Sequence, residues 1–309
     1  VNMVPNAPTD YFEGFIKGNF GTDELQRYEG MINIPLTDDV FVRANFLSNN
    51  QGGIAENVAD PAWNDEQKTW DIGERAHNAG RLSLLWNISS ATDFQFSVDL
   101  DDLNQAPPMA VGLSEYAYNG GQDIFSGKVA NDVRNGIESR DMTGYTAKFN
   151  HSFDENWSMK YVVSFREWET ANKQDEDGTQ DVTRYFDTNN IEESNIFYNE
   201  LQVNYISDRV NAVTGFSYSK EDVSQVTEMN VTSDTLARLI TGELNNAING
   251  LVADQVAGML GGNSDAHAEA AFGPGVTFAG AVETIKQTQG ITDMDHMWNP
   301  SDWAGALNA

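Results

Sequence analysis

The charged side chains with a regular setting in this chain are Lys17, Arg27, Arg43, Arg81, Lys148, Lys160 and Arg166, with Glu13, Glu29, Asp99, Asp101 and Glu200. Each adjoins an apolar residue in an alternating run, so in an extended backbone all twelve fall on the face opposite the hydrophobic residues. Seven bases against five acids is close to balance. That mixture suits a wall facing water, or one facing another body held by many weak polar contacts. Lys17, Arg27, Glu29, Arg43, Arg81, Asp99, Lys160, Arg166 and Glu200 are therefore the candidates for contact with an enclosed domain or a solute.

Other chemistry is sparse. The stretch QDEDGTQD (174–181) brings Asp175, Asp177 and Gly178 into a spacing like that of a calcium loop. The twelve-residue frame and its terminal bidentate glutamate are missing, so a solvated acidic tip is expected there, with no metal site. His77, His151, His267 and His296 are scattered, and Asp293, Asp295 and His296 form only a loose group. With no cysteine there is neither a disulfide nor a thiolate ligand. No nucleophile elbow, phosphate loop or convincing carboxylate pair occurs, so neither an enzyme nor a cofactor is expected.

The elements that position the charges follow from alternation. In DMTGYTAKFNHSFDENWSMKYVVSFREW (141–168), Tyr145, Ala147 and Phe149, then Trp157, Met159, Tyr161, Val163 and Phe165, face one way. Thr146, Lys148, Asn150, Ser158, Lys160, Ser164 and Arg166 face the other. Strict alternation on both sides of a short polar turn is a β-hairpin. Each arm of about ten residues, tilted by roughly 40°, covers the ~25 Å apolar band of an outer-membrane barrel. The pattern recurs to give nine candidate strands, the last ending near residue 220. Connections alternate short (35–39, 88–93, 150–156, 206–209) with long (48–78, 102–138, 169–194, 221–309), except for the short outer turn of the first hairpin. A barrel trims one rim in this way, whereas a sandwich has no reason to sort loop length by strand parity. Phe12, Trp86, Phe94, Phe149, Trp157 and Tyr205 gather beside the short turns, as an aromatic girdle at one membrane interface would.

The net charge of −29 excludes nucleic acid as a partner. The four long connections hold 31 acids and eight bases, hence 23 of the 29 excess negative charges. Such a rim bridges divalent cations to anionic lipid, and would disfavour strongly anionic ligands. From about Glu221 the character changes. Leu236, Ile240, Leu244, Ile248, Leu251 and Val252 recur at helical spacing after Ser233 and Asp234 as candidate N-caps, and a second helix is expected around Phe278, Ala281, Val282 and Ile285. An amphipathic helix packed on its own loop is expected. Gly258, Gly261, Gly262, Gly273, Pro274 and Gly275 point to irregular loop between these helices.

The N-terminus carries a resemblance. VNMVPNAPTDYFEGFIKGNFG is similar to the junction of TonB-dependent outer-membrane receptors, where a plug segment of the form INIVTKxPT runs into a first strand of the form EFEGxxxxxxG. Asn2, Val4, Pro8, Thr9, Phe12, Glu13 and Gly14 match, while Pro5 and Asn6 depart from the usual Thr-Lys. YEGMINIPLTDDVFVRANFLSNNQGGI resembles the family's second and third strands, including the turn at Pro35–Asp38 and Arg43. GRLSLLWNISSATDFQFSVDLDD resembles its fourth strand and the one after it. YNELQVNY and VNAVTGFSYSKED resemble a later pair. The likeness runs to about residue 222.

The resemblance implies an all-β, antiparallel up-and-down transmembrane barrel of about 22 strands enclosing a plug, of which this chain would hold nine. Residues 1–9 would be the junction, 10–220 barrel strands with extracellular loops, and 221–309 a long, partly helical extracellular loop. Nine strands with two open edges in lipid would expose unpaired backbone. With no initiator methionine or signal peptide, the chain therefore reads as a piece of something longer. The implied partners are outer-membrane lipid, the TonB complex acting through the plug, and a scarce nutrient. A ferric siderophore is the family's commonest substrate, with oligosaccharide or cobalamin as alternatives. Paired loop histidines for haem are absent. A passive porin and a secreted β-sandwich adhesin or lectin are the rivals.

Overall fold

The computed structural model describes residues 5–59, 70–122 and 125–291. Asn2, Val4 and the Asp293–Asp295–His296 group lie outside them. Nine strands form one antiparallel sheet in chain order: β1 (Glu13–Phe20), β2 (Gln26–Pro35), β3 (Val40–Gln51), β4 (Arg75–Ser89), β5 (Thr92–Gln105), β6 (Ile137–Ser152), β7 (Trp157–Asp175), β8 (Phe186–Ile206) and β9 (Asn211–Val231). The sheet is open, with β1 and β9 as its edges. It is all-β, up-and-down and part of a barrel, as the alternation demands.

The short turns are built by local chemistry. At 35–39 the Thr37 hydroxyl accepts from the backbone N–H groups of Asp39 and Val40. At 150–156 Asp154 accepts from those of Asn156 and Trp157. Polar side chains that bond their own backbone two or three residues on are what let such turns stay tight.

One face of the sheet leaves many of its large apolar side chains uncovered. Ile16 is 77 % exposed and Phe216 69 %, with Phe12, Leu82, Trp86, Phe96, Tyr161 and Phe197 exposed beside them. Water would not tolerate an apolar surface of this extent, and lipid requires it. One rung of the ladder runs Val40–Trp86–Phe94–Phe149–Tyr161–Leu201 across six strands. Trp157 packs against Tyr205 below it, ring centroids 4.7 Å apart and planes tilted by 47°.

The strands run much further than alternation shows. Residues 169–194, expected as a connection, are mostly strand: β7 continues to Asp175 and β8 starts at Phe186. Likewise β9 carries on to Val231, well past residue 220. At ~3.4 Å per residue β7 reaches ~65 Å, far more than a ~25 Å band needs. Above the band both faces meet water, so the apolar/polar signal vanishes while the backbone ladder continues.

A second compact unit comprises, among the described residues, 182–185 and 231–291. Its helices are α1 (Ser233–Leu260), α2 (Asp265–Phe272) and α3 (Phe278–Gln289). The cap of α1 is Thr232, whose hydroxyl accepts from the Thr235 N–H, and not Ser233 or Asp234. α2 occupies a stretch expected to be irregular, because the glycines there end helices without excluding a short one between them. Val252, Val256, Ala268 and Ala281 form its core with Ile248, Val282 and Ile285 around them. The packed part of α1 is thus its second half, whereas Leu236, Ile240, Leu244 and Leu251 are exposed.

Candidate functional site

The polar face of the sheet carries the charged ladder. On β1 and β2, Glu29 accepts from Lys17 Nζ at 2.9 Å and from Arg27 Nη2 at 3.0 Å. On β4 and β5, Arg81 donates to Asp99 at 2.7 Å and to the buried hydroxyls of Ser83 and Ser97. Further along, Asp101 accepts from Arg140 and contacts His77 at 2.9 Å. Gly144 opens the wall between strands: a Cβ there would lie 3.6 Å from that of Asp99 and 4.0 Å from Arg166 Nε. Lys160, Arg166 and Glu200 share the face but form no ion pair among the described residues. Tyr198 donates to Glu200 at 2.7 Å. Beside the short turns Lys160 lines an open polar recess with Asp39, Asn87, Asp93, Asn150 and Asn204.

The most constrained point is where the N-terminal segment meets the wall. Asn33, fully buried, donates from Nδ2 to the carbonyls of Thr9 and Tyr11 at 2.9 and 2.7 Å. Its Oδ1 accepts from Thr9 N at 2.9 Å and Arg43 Nε at 3.3 Å. Arg43 is itself buried and paired with Glu13. Residues 5–8 then lie over Arg81, Ser97, Thr146 and Lys148. Arg43 therefore helps to hold the segment that precedes β1. Asn33 stands in the sequence only as one polar residue of an alternating strand, and its role depends on a contact 24 residues away.

The 174–181 stretch is not a solvated tip at its first aspartate. Asp175 ends β7 and is 3 % exposed; its Oδ1 accepts from the backbone N–H groups of Asp177 and Gly178. Gly178 has φ +69°, and a Cβ there would meet the Gly112 nitrogen at 2.9 Å, so only glycine closes this turn against the 106–136 connection. That connection is itself folded on Ala106, Val129, Ala130 and Val133. A two-residue parallel ladder (Glu56–Asn57 with Lys128–Val129) and a Trp70 Nε1–H bond to the Gly136 carbonyl fix it in place. The result brings Asp132, Asp175 and Asp177 together, with one carboxylate oxygen of each within 4.8 Å of the others. Burial, then the negative charges of Asp175, Asp177 and Asp187, pushes the Asp132 carboxyl up to about 8. Burial, then Asp177 and Glu176, pushes Asp175 up to about 7. Asp177 is raised too, mainly by burial.

A pH dependence follows. Between the ordinary aspartate value of 3.8 and about 8 the folded state holds more protons here than the unfolded chain. Stability must then fall as pH rises through that window. In chelator, the thermal midpoint is expected to be higher at pH 5 than at pH 8, and a flat profile would mean the carboxylates are hydrated.

Comparisons with known proteins agree with the sheet. No family model matches the chain. The ferric-pyoverdine 358 receptor of Pseudomonas putida is 25 % identical over 167 residues, which is 53 % of this chain and 18 % of that receptor. The ferric yersiniabactin uptake receptor FyuA from Yersinia pestis aligns with a TM-score of 0.56 at 13 % identity, over 72 % of this chain and 33 % of the receptor. The siderophore receptor PiuA from Acinetobacter baumannii gives 0.54 at 15 %, over 71 % and 32 %. The chain thus spans about a third of the solved receptors and under a fifth of the curated relative. Its fold is that of a barrel segment of TonB-dependent receptors. It resembles that family in sequence and structure, and its place is the bacterial outer membrane. The proteins it resembles are transport receptors, not enzymes.

Proposed function

We propose that the chain forms the first nine strands of the wall of a TonB-dependent transporter that takes up a ferric siderophore. The observation that carries this reading is the Asn33–Arg43–Glu13 lock. It fastens the segment preceding β1 to the polar face of the wall, where the resemblance expects a plug to join. A passive porin has no use for such an anchored lead-in. The paired charges of the wall (Lys17, Arg27, Glu29, Arg81, Asp99), with Lys160, Arg166 and Glu200, would contact the plug or the passing solute. Phe12, Trp86, Phe94, Phe149, Trp157 and Tyr205 would form the girdle at the periplasmic interface. The region beyond β9 would stand as an extracellular loop. The siderophore assignment rests on the three relatives above, named as a ferric-pyoverdine receptor, a ferric yersiniabactin uptake receptor and a siderophore receptor.

The test is uptake of radiolabelled iron by a receptor-deficient, iron-starved host expressing the complete reading frame. Accumulation of a ferric siderophore that stops when TonB is deleted is the expected result. Uptake unaffected by that deletion would make the protein a passive channel.

A further inference from the structure

We propose that Asp132, Asp175 and Asp177 bind one divalent cation of the calcium class, clamping the 106–136 connection to the turn between β7 and β8. Asp132 and Asp175 are each 3 % exposed, and each has a carboxylate oxygen, Oδ2, buried with no hydrogen-bond partner. Asp177 is oriented by backbone donors: Oδ1 accepts from Thr179 N at 2.9 Å and Oδ2 from Phe186 N at 2.8 Å. No lysine or arginine pairs with any of the three among the described residues. Lys173, two residues before Asp175, lies 3.6 Å from Asp187 instead.

Gathering three carboxyls in a buried site without countercharge is costly, whether they stay ionised or must take up protons to remain there. A cation cancels the repulsion and supplies the partner that the two orphaned oxygens lack. The spread of the donors suits it. Three oxygens within 4.8 Å of one another have a common centre at most ~2.8 Å from each, a few tenths of an ångström from the 2.3–2.6 Å coordination distance of calcium. An all-carboxylate donor set is hard, which favours calcium over the nitrogen- and sulfur-seeking metals. Calcium takes about 6–8 oxygens, so water would complete the shell around these three side chains. The clamp joins residues more than forty positions apart, giving two rim connections one shared anchor.

The experiment titrates Ca²⁺ alone into the chelator-treated chain at pH 7.5 by calorimetry and records the thermal midpoint with and without the ion. One ion per chain with a Kd of about 10⁻⁵–10⁻³ M is expected, together with a rise in midpoint. Asp132→Asn and Asp175→Asn should each weaken binding at least tenfold and abolish the rise. Asn keeps each side chain's shape, and at position 175 the Oδ1 that accepts from Asp177 N and Gly178 N, without a carboxylate to bury, so both should be no less stable than the wild type in chelator, and loss of binding cannot be blamed on unfolding. Glu176→Gln, on an exposed neighbour, should bind as the wild type does. The proposal is overturned if calcium neither binds nor shifts the midpoint. It is equally overturned if the two Asn variants bind like the wild type, or if Glu176→Gln weakens binding as much as they do. Neither siderophore nor TonB enters the assay, so its failure leaves the transport reading untouched.

Discussion

Arginine in place of Val163 should cost ~2–4 kcal/mol of stability in a phospholipid bilayer, whereas arginine at Val162, the next residue along, should cost under ~1 kcal/mol. The two positions share a strand, a length of side chain and a helix-free context; they differ only in face. Val163 lies in register with Ala147 and, through it, Phe96, on the apolar side. There a guanidinium has no water and no countercharge, since its other cross-strand neighbour is the neutral Asn199, and the ladder forbids it to move. Val162 is in register with Lys148 on one side and Glu200 on the other. An arginine there meets water and can pair with Glu200. Reversible urea unfolding in vesicles measures both, with detergent micelles as the comparison. Equal costs at the two positions would show that the apolar face packs on protein and not on lipid.

Asn33→Leu should be the most damaging single change on the polar face, at about 3 kcal/mol. Its shape is nearly conserved, so no cavity argument applies; the loss is of hydrogen bonds. Both Thr9 groups and the Tyr11 carbonyl would lose their partner, and Arg43 would keep only Glu13. Each buried polar group left unsatisfied costs ~1–3 kcal/mol, less where water can reach the half-exposed Thr9. The segment at residues 5–12 should then become susceptible to protease while the sheet stays intact. Asn33→Asp separates the parts: it keeps the acceptor for Thr9 N and Arg43 but loses both donated bonds. An Asn33→Leu protein with unchanged stability and an uncut lead-in would remove the anchor on which the plug-junction reading depends.

Much of the fold was legible because the side-chain period of a strand is two and strictly local. Tyr145 to Phe165 shows by itself which residues share a face, and the polar turns at 35–39 and 150–156 show where the chain reverses. Membrane placement follows from the same few residues, since an apolar face bounded by aromatic rings needs no distant partner to be recognised. Strand ends were not legible. At Thr170, Asn172 and Gln174 both faces are wet, so the residues carry no sign that the ladder continues to Asp175. The packed half of α1 was likewise hidden, because Leu236 and Val256 repeat alike and only α2 and α3 decide which of them is covered.

The sequence alone determined the number of spanning strands, their two faces and the excess of acid in the connections, all properties of neighbours two or four residues apart. Only the tertiary structure decided that Asn33 holds Thr9, and that Asp132 comes to lie against Asp175 and Asp177. Those contacts depend on how turns and ladders bring remote backbone together. No local pattern of residue types encodes that distance, which is why an aspartate with the look of a solvated tip proves to be a buried one.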